Sequence, residues 1–261
     1  MAAPRLESDE VILVPKPYAA PTLEQAIVER YKKLRLHGLQ VDPQSFSSTY
    51  ADESQFGDEV WRSRIYNPVG KTFAAVTGSD NQPENITETL VQAHETNDAL
   101  QGSLGKEWVG IVTLLGPGVF SRSNDDAATA PTQPYEVFLR NGKYQKPQEL
   151  SKVEDLTGAH LVYLIVGMFV SPSARRRGHG QRLMEAAIAA ATVEGRRLGG
   201  RKASITLQVD SNNLHAQRLY EKVGFRVVDE GVMVENRQGA RNAVVCLEME
   251  VSFASRDQLF F

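Results

Sequence analysis

Apolar and polar residues along the chain follow two periods, and the switches between them mark the elements. The short apolar run Val11-Ile12-Leu13-Val14 stops at Pro15 and Pro17, which predicts a first strand near a sheet edge, because proline cannot donate to a ladder. Thr22 and Gln25 have capping-box spacing. Leu23, Ala26, Ile27, Tyr31 and Leu34 follow as one helical stripe that Gly38 can close. A second stripe, Phe56, Val60, Trp61 and Ile65, predicts a helix stopped by Asn67-Pro68. Phe73–Val76 and Trp108–Leu115 read as paired strands. The stretch between them, 78–105, is too long for a hairpin turn and contains a candidate helix from Pro83 to about Leu100. Residues 116–160 form a second insertion of 45 residues, and its part Ser121–Pro134 is rich in Ser, Asp, Ala, Thr and Pro. Unstructured loops beyond about 12–15 residues are usually functional or disordered.

The last hundred residues are more sharply patterned. Leu161–Val170 is almost continuously apolar, as expected of a strand covered on both faces, and Gly167 interrupts it. Gly178 to about Leu198 predicts a long helix with Leu183, Met184, Ala187, Ile188 and Ala191 inward, ended by Gly199-Gly200. Ser204–Val209 alternates like a strand, and Asp210-Ser211-Asn212-Asn213 is a turn and cap cluster. Leu214–Val223 predicts a short helix closed by Gly224, then strands at Phe225–Val228 and Val244–Val251. Strands and helices in this order describe an α/β layer structure.

Composition narrows the class. With 41% apolar and 23% charged residues, the 261-residue chain has enough apolar surface for a core. A net charge of −3 gives no basis for nucleic-acid binding by bulk positive charge. The single cysteine, Cys246, cannot form an internal disulfide, and the five histidines lack metal-ligand spacing. No apolar run approaches the roughly 18 residues of a membrane span, and Met1–Glu10 lacks the apolar core of a signal peptide. The expectation is a cytoplasmic protein, with the nucleus as the alternative. It has a flexible tail over 1–10 and a single domain over 11–261 carrying the two insertions. Nothing in the sequence sets the oligomeric state.

The segment Val170-Ser-Pro-Ser-Ala-Arg175-Arg176-Arg177-Gly178-His179-Gly180-Gln181-Arg182 carries the chemistry. A buried strand ends, a basic turn follows, and two glycines open a helix. A helix N-terminus presents unpaired N–H groups and partial positive charge, which suit a phosphate. Glycine lets the backbone approach the anion, and arginine adds forked donors. The bland alternative is a solvated basic turn. No G-x-x-x-x-G-K-[ST] is present, which excludes a P-loop NTPase. Gly178-His179-Gly180-Gln181-Arg182-Leu183 ends in Leu, and Asp210 lies 32 residues after Gly178. A dinucleotide fold needs a third Gly or Ala and an acid about 20 residues on.

Val-x-Pro…Arg-x-x-Gly-x-Gly before a long amphipathic helix resembles the acetyl-CoA-binding motif of the GNAT (Gcn5-related N-acetyltransferase) superfamily. A second motif agrees: Asn213-Leu-His-Ala216-Gln-Arg-Leu219-Tyr220-Glu-Lys-Val-Gly224-Phe225 is similar to that family's N-x-x-A-x-x-L-Y-x-x-x-G-F, placed 33 residues after Gly180. The resemblance is sharp from about Leu161 to Val228. Leu34-Arg35, Asp42-Pro43, Phe46 and Trp61 resemble the N-terminal helices of some members.

The resemblance implies a mixed, mostly antiparallel sheet of six to seven strands, flanked by helices and splayed at the acetyl-CoA strand. It implies that the pantetheine arm runs along Met168, Phe169 and Val170 like an added strand. It places the pyrophosphate on the N–H groups of Arg176 to Gly180, with Arg175, Arg177, Gly178, His179, Gln181 and Arg182 around it. Asn213 would touch the pantetheine amide, and Asn213 also suits a helix N-cap. Tyr220 would be the general acid toward the leaving thiolate. A phenol near pKa 10 facing a thiol near 8.5 acts through proximity, or by hydrogen-bonding the sulfur without full transfer.

The implied function is acetyl transfer from acetyl-CoA to a primary amine in a ternary complex, the amine being a small molecule or a peptide. The alternatives are a non-catalytic acyl-CoA-binding module and an acyltransferase with a longer acyl chain or a hydroxyl acceptor. No general base is evident; Glu107, His160, Asp210 and Glu136 are candidates, beside a water chain. The two insertions are expected to wall the acceptor site, where Asp125, Asp126 and Glu136 could attract a cationic amine.

Overall fold

The strand patterns close into one sheet, seen in a computed structural model that describes residues 8–14, 16, 21–79, 106–120, 131–140, 143–144, 155–235, 239 and 241–253. In chain order the strands are β1 (Ser8–Leu13), β2 (Gly70–Ser79), β3 (Glu107–Val119), the two-residue pair β4 (Leu139–Arg140) and β5 (Lys143–Tyr144), β6 (His160–Val170), β7 (Lys202–Asp210), β8 (Arg226–Glu235) and β9 (Arg241–Ser252). β4 and β5 form a separate ribbon, and the other seven lie in the order β1-β2-β3-β6-β7-β9-β8. All neighbours are antiparallel except β6 and β7. The expected mixed, mostly antiparallel sheet is therefore present, with β1 at one edge.

Helices cover both faces. On one side lie α1 (Pro21–Val41), α2 (Tyr50–Glu53) and α3 (Asp58–Ile65); on the other, α4 (His179–Arg197) and α5 (Leu214–Lys222). α4 seats Leu183, Met184, Ala187 and Ala191, all 0% exposed, on Ile165, Ile205 and Leu207 of the sheet. Full burial of a Leu or Met is worth about 1.5–3 kcal/mol, so this stripe fixes where the helix begins as well as how it lies. On the opposite face Ile27, Leu34, Trp61 and Ile65 pack on Ala74, Val76, Ile111 and Phe169. Among the described residues no helix is long and apolar enough to cross a membrane.

Several boundaries differ from the sequence pattern. Gly38 does not close α1; a Cβ there would lie 3.1 Å from the Phe169 ring and 3.3 Å from Phe46, so the glycine admits two aromatic rings while the helix continues to Val41. β1 begins at Ser8, so Asp9 and Glu10 belong to the strand rather than to a tail. β3 runs to Val119, so the second insertion starts later than residue 116. Its segment Pro134–Val137 is a 3-10 turn, and Tyr135, Val137, Phe138 and Leu139 are buried against the sheet. The candidate helix from Pro83 to about Leu100 and residues 121–130 lie outside the described residues.

β6 and β7 pair only from His160↔Lys202 to Leu164↔Thr206. Beyond that point β6 continues on β3 as far as Gly110↔Val170, and β7 continues on β9 as far as Asp210↔Val244. The two strands therefore part, as the resemblance implied. The β6–β3 ladder gains one residue on β6 between Val166 and Phe169. Gly167 sits in this bulge at φ +65°, a backbone conformation costly for any residue with a Cβ.

Candidate active site

The turn after β6 delivers a row of unsatisfied donors. Ala174 N–H and Arg175 N–H bond back to Ser171 O and Pro172 O, and the next main-chain bond is Arg182 N–H to Gly178 O at 3.1 Å. Between them, no N–H from Arg176 to Gln181 donates to a carbonyl among the described residues. These groups surround the N-terminus of α4, where the helix dipole favours an anion. Gly178 is the N-cap at φ +83° in the left-handed region, and Arg176 at φ +66° is the non-glycine exception. Gly180 serves close packing instead: a Cβ there would lie 3.0 Å from Leu219 Cδ2 and 3.3 Å from Met168 Cε. The two glycines thus have different physical reasons.

The arginines already have partners. Arg175 donates from Nε to Val170 O at 3.0 Å and from Nη2 to Asp42 at 3.2 Å. Arg177 and Arg182 reach Asp9 of β1 at 3.0 and 3.3 Å. Arg176 is exposed and makes no ion pair among the described residues. The His179 side chain is buried beneath this group. Arg182 Nη2 donates to its Nδ1 at 3.1 Å, so Nε2 carries the proton, 3.4 Å from Asp9 but outside hydrogen-bond geometry. Burial, with Arg182 and Arg177 nearby, outweighs Asp9 and lowers the imidazole pKa. His179 can therefore offer an anion its main chain only, and Gln181 turns to Glu185 at 2.8 Å.

Strand β6 separates its three cofactor candidates by face. Met168 and Val170 pack toward α4, whereas Phe169, 4% exposed, packs under α1 among His37 and Phe46. Asn213 is the N-cap of α5, accepting from Ala216 N–H at 3.1 Å and donating from Nδ2 to Ser45 at 3.0 Å. Both readings of Asn213 are thus compatible, since the cap sits beside the parted strands. Tyr220 is 7% exposed in the core under α4, edge-on to Phe225 with centroids 6.4 Å apart. Burial alone pushes its phenol up to about 12.

On the other face the parted strands floor a cavity of about 710 Å³. Its floor is Thr113 and Leu115 of β3, Leu164 to Gly167 of β6, and Gln208 and Asp210 of β7. The loop 44–48 and Phe138 form its sides, and Val234, Glu235, Asn242 and Val244 close the β8–β9 end. The opposite end is Tyr31, Arg35, Glu53, Arg64 and Asn67. There Arg35 chelates the Glu53 carboxylate through Nε and Nη2 at 3.1 and 2.9 Å, and Arg64 Nη1 adds a third bond at 2.7 Å. Burial would raise the Glu53 carboxyl, but the two guanidiniums outweigh it and hold the pKa at about 2.

A row of free N–H groups, an unpaired strand edge and a cavity on the far face meet where β6 and β7 part. Residues 149–227, which span that junction, match the family described as an acetyltransferase (GNAT) domain. Over that segment the chain matches the GNAT family. Among solved structures it resembles a protein of Acinetobacter baylyi provisionally described as an acetyltransferase, at 8% identity and TM-score 0.50 over 95% of this chain and 94% of that one. Arabidopsis thaliana NAA60, solved with a bisubstrate analogue, aligns at 14% identity and TM-score 0.49 over 93% of this chain and 100% of its own. The protein yncA of Salmonella typhimurium, solved with acetyl-CoA, aligns at 13% identity and TM-score 0.47 over 95% and 96%. At such identities the likeness is one of fold. No curated protein sequence matches the chain.

Around the parted strands the structure separates the base candidates. Asp210 lines the cavity; its Oδ1 accepts from Asn212, and Oδ2 accepts no bond among the described residues. Glu107 starts β3 opposite Thr77 and is exposed. His160 lies in a separate recess, 2.8 Å from Ser204, with burial lowering its pKa to about 4. Glu136 folds back on Thr132 and Gln133. Asp125 and Asp126 lie outside the described residues; among the described residues of the second insertion, Phe138 lines the cavity. Sequence reasoning missed Arg35, Glu53 and Arg64 as site residues. Each reads as an ordinary helix charge until three helices meet.

Proposed function

We propose that this protein is an acetyl-CoA-dependent N-acetyltransferase of the cytoplasm that joins acetyl-CoA and a primary amine in a ternary complex. The observation that carries the reading is the run of unpaired N–H groups from Arg176 to Gln181, continuous with the β6 edge that β7 leaves unpaired after Leu164. Acetyl-CoA, when bound, supplies the acetyl group as a thioester. The N–H row and Arg176 would hold its diphosphate, and the main chain of Met168 to Val170 its pantetheine arm. The cavity across β6 would take the amine. Asp210 would accept the proton the amine loses as its nitrogen bonds the carbonyl carbon. Tyr220 would donate a hydrogen bond to the sulfur as the C–S bond breaks. A pKa near 12 suits a donor that stays protonated better than an acid that gives its proton up.

Thiol release from acetyl-CoA, followed with a panel of primary amines, tests this. Acetylated amine formed in step with free thiol is the expected result. Tight CoA binding without turnover on any amine would make the domain a binding module. Turnover confined to a longer acyl-CoA or to alcohols would make it a different acyltransferase.

A further inference from the structure

The cavity is electrically bipolar, and this bears on the acceptor. At the α1–α3 end two guanidiniums face one carboxylate. Glu53 compensates one positive charge, and neither Arg35 nor Arg64 pairs with another acid among the described residues. Arg35 uses Nε and Nη2 on Glu53 and lays its plane 4.4 Å over the Phe46 ring, leaving Nη1 without a hydrogen bond among the described residues. Arg64 is flanked by Tyr31, Phe56 and Trp61. One unit of positive charge is thus fixed in a half-buried wall by aromatic rings and a buried acid, which is where a guanidinium keeps its fork geometry. At the other end stands the Asp210 carboxylate, whose Oδ2 accepts no bond among the described residues, while Glu235 lies opposite Arg241 in the β8–β9 ladder.

From this we infer that the acceptor is a zwitterion, an amine carrying a carboxylate at its remote end, with the carboxylate on Arg35 and Arg64 and the amine toward Asp210. This deepens the transferase reading and rests on it. The two charged ends stand over different strands: α3, which carries Arg64, packs on β2, whereas Asp210 ends β7, with β3 and β6 between. Adjacent strands lie about 4.8 Å apart. An α-amino acid holds both charges on one carbon, whereas an ω-amino acid or a peptide of two to three residues, at about 3.3–3.6 Å per residue, sets them strands apart. Cavities of about 300–1,000 Å³ with a few convergent polar groups are the common form of such sites.

The test compares 6-aminohexanoate, 6-aminohexanamide and glycine as acceptors at saturating acetyl-CoA. The proposal expects kcat/KM for 6-aminohexanoate to exceed that for its amide at least tenfold, with glycine no better than the amide. In Arg35→Gln the acid-to-amide ratio should fall toward one, and Arg35→Lys should recover part of it. CoA binding and melting show whether each variant is folded. A wild-type ratio near one overturns the proposal even if no variant folds. A ratio that persists in folded Arg35→Gln overturns the role of this wall. Failure to acetylate any amine, with CoA still bound, overturns the transferase reading and this inference with it.

Discussion

Replacing Tyr220 by Phe separates catalysis from packing. The ring sits in the core under α4 at 7% exposure, edge-on to Phe225, and both contacts survive loss of the hydroxyl. Burial is the sole cause of the raised phenol pKa, so no hydrogen-bonding or charged neighbour is left stranded. Stability should change by less than about 0.5 kcal/mol, or about 1–2 °C in Tm for a chain of this size. The rate should fall much further. Removing one pre-organised donor aimed at developing charge costs about 10²–10³ in kcat, or about 2.7–4 kcal/mol. Single-turnover thiol release at saturating acetyl-CoA and amine reads the chemical step, and calorimetry reads CoA affinity, expected to change less than about threefold, or 0.7 kcal/mol. The wild-type rate should also show no phenol ionisation up to pH 10, because a group titrating near 12 is still protonated there. A folded variant that binds CoA normally and keeps more than a third of wild-type kcat would refute the donor role and leave Tyr220 as a core residue.

Two further outcomes concern the loop and the arginine wall. Gly180→Ala should drive Leu219 and Met168 away from α4, and Gly178→Ala should force a left-handed residue costing about 1–2 kcal/mol; each should weaken CoA binding at least about tenfold by calorimetry, and an unchanged dissociation constant in both would place the diphosphate elsewhere. Glu53→Gln should cost about 3–5 kcal/mol by leaving two guanidiniums unpaired. Because the folded carboxyl titrates near 2 and its unperturbed value is 4.5, wild-type stability from this group is complete above about pH 4.5 and lost as pH falls toward 2. Urea melts across that window should show this slope in wild type and not in the variant.

The segments that could be read from sequence were those where a local period and a tertiary role coincide. Leu161 to Val228 alternates between fully apolar strands and one-sided helices, so β6, α4, β7 and α5 follow within a residue or two. The glycine-opened helix turn was legible for the same reason: free N–H groups at a helix start are a local property. The Gly38 error shows the limit. A glycine late in a helical stripe reads as a cap, and only the rings of Phe169 and Phe46 across the interface show that it is a gap for packing. The arginine-lined end of the cavity was illegible on similar grounds. Arg35, Glu53 and Arg64 lie on three separate helices, and no period links them; their meeting depends on how α1, α2 and α3 stack on the sheet. Asp9 was placed in a tail because a mixed-charge start gives no strand signal, yet pairing with β2 carries it to the phosphate loop.

On the proposed placement of the diphosphate, that position of Asp9, with Asp42 on Arg175, would make the loop an ion exchanger. An arriving diphosphate would meet three arginines already neutralised in part, and every contact it gained with them would release a carboxylate to water. Pairs at this level of exposure hold one another by about 0.2–1 kcal/mol, so the swap is close to isoenergetic. Discrimination would then fall to the main-chain N–H row, which has no partner to release. Dissolved salt weakens the outgoing pairs along with the incoming ones, so affinity for the diphosphate should vary less steeply with ionic strength than a cluster of four arginines suggests.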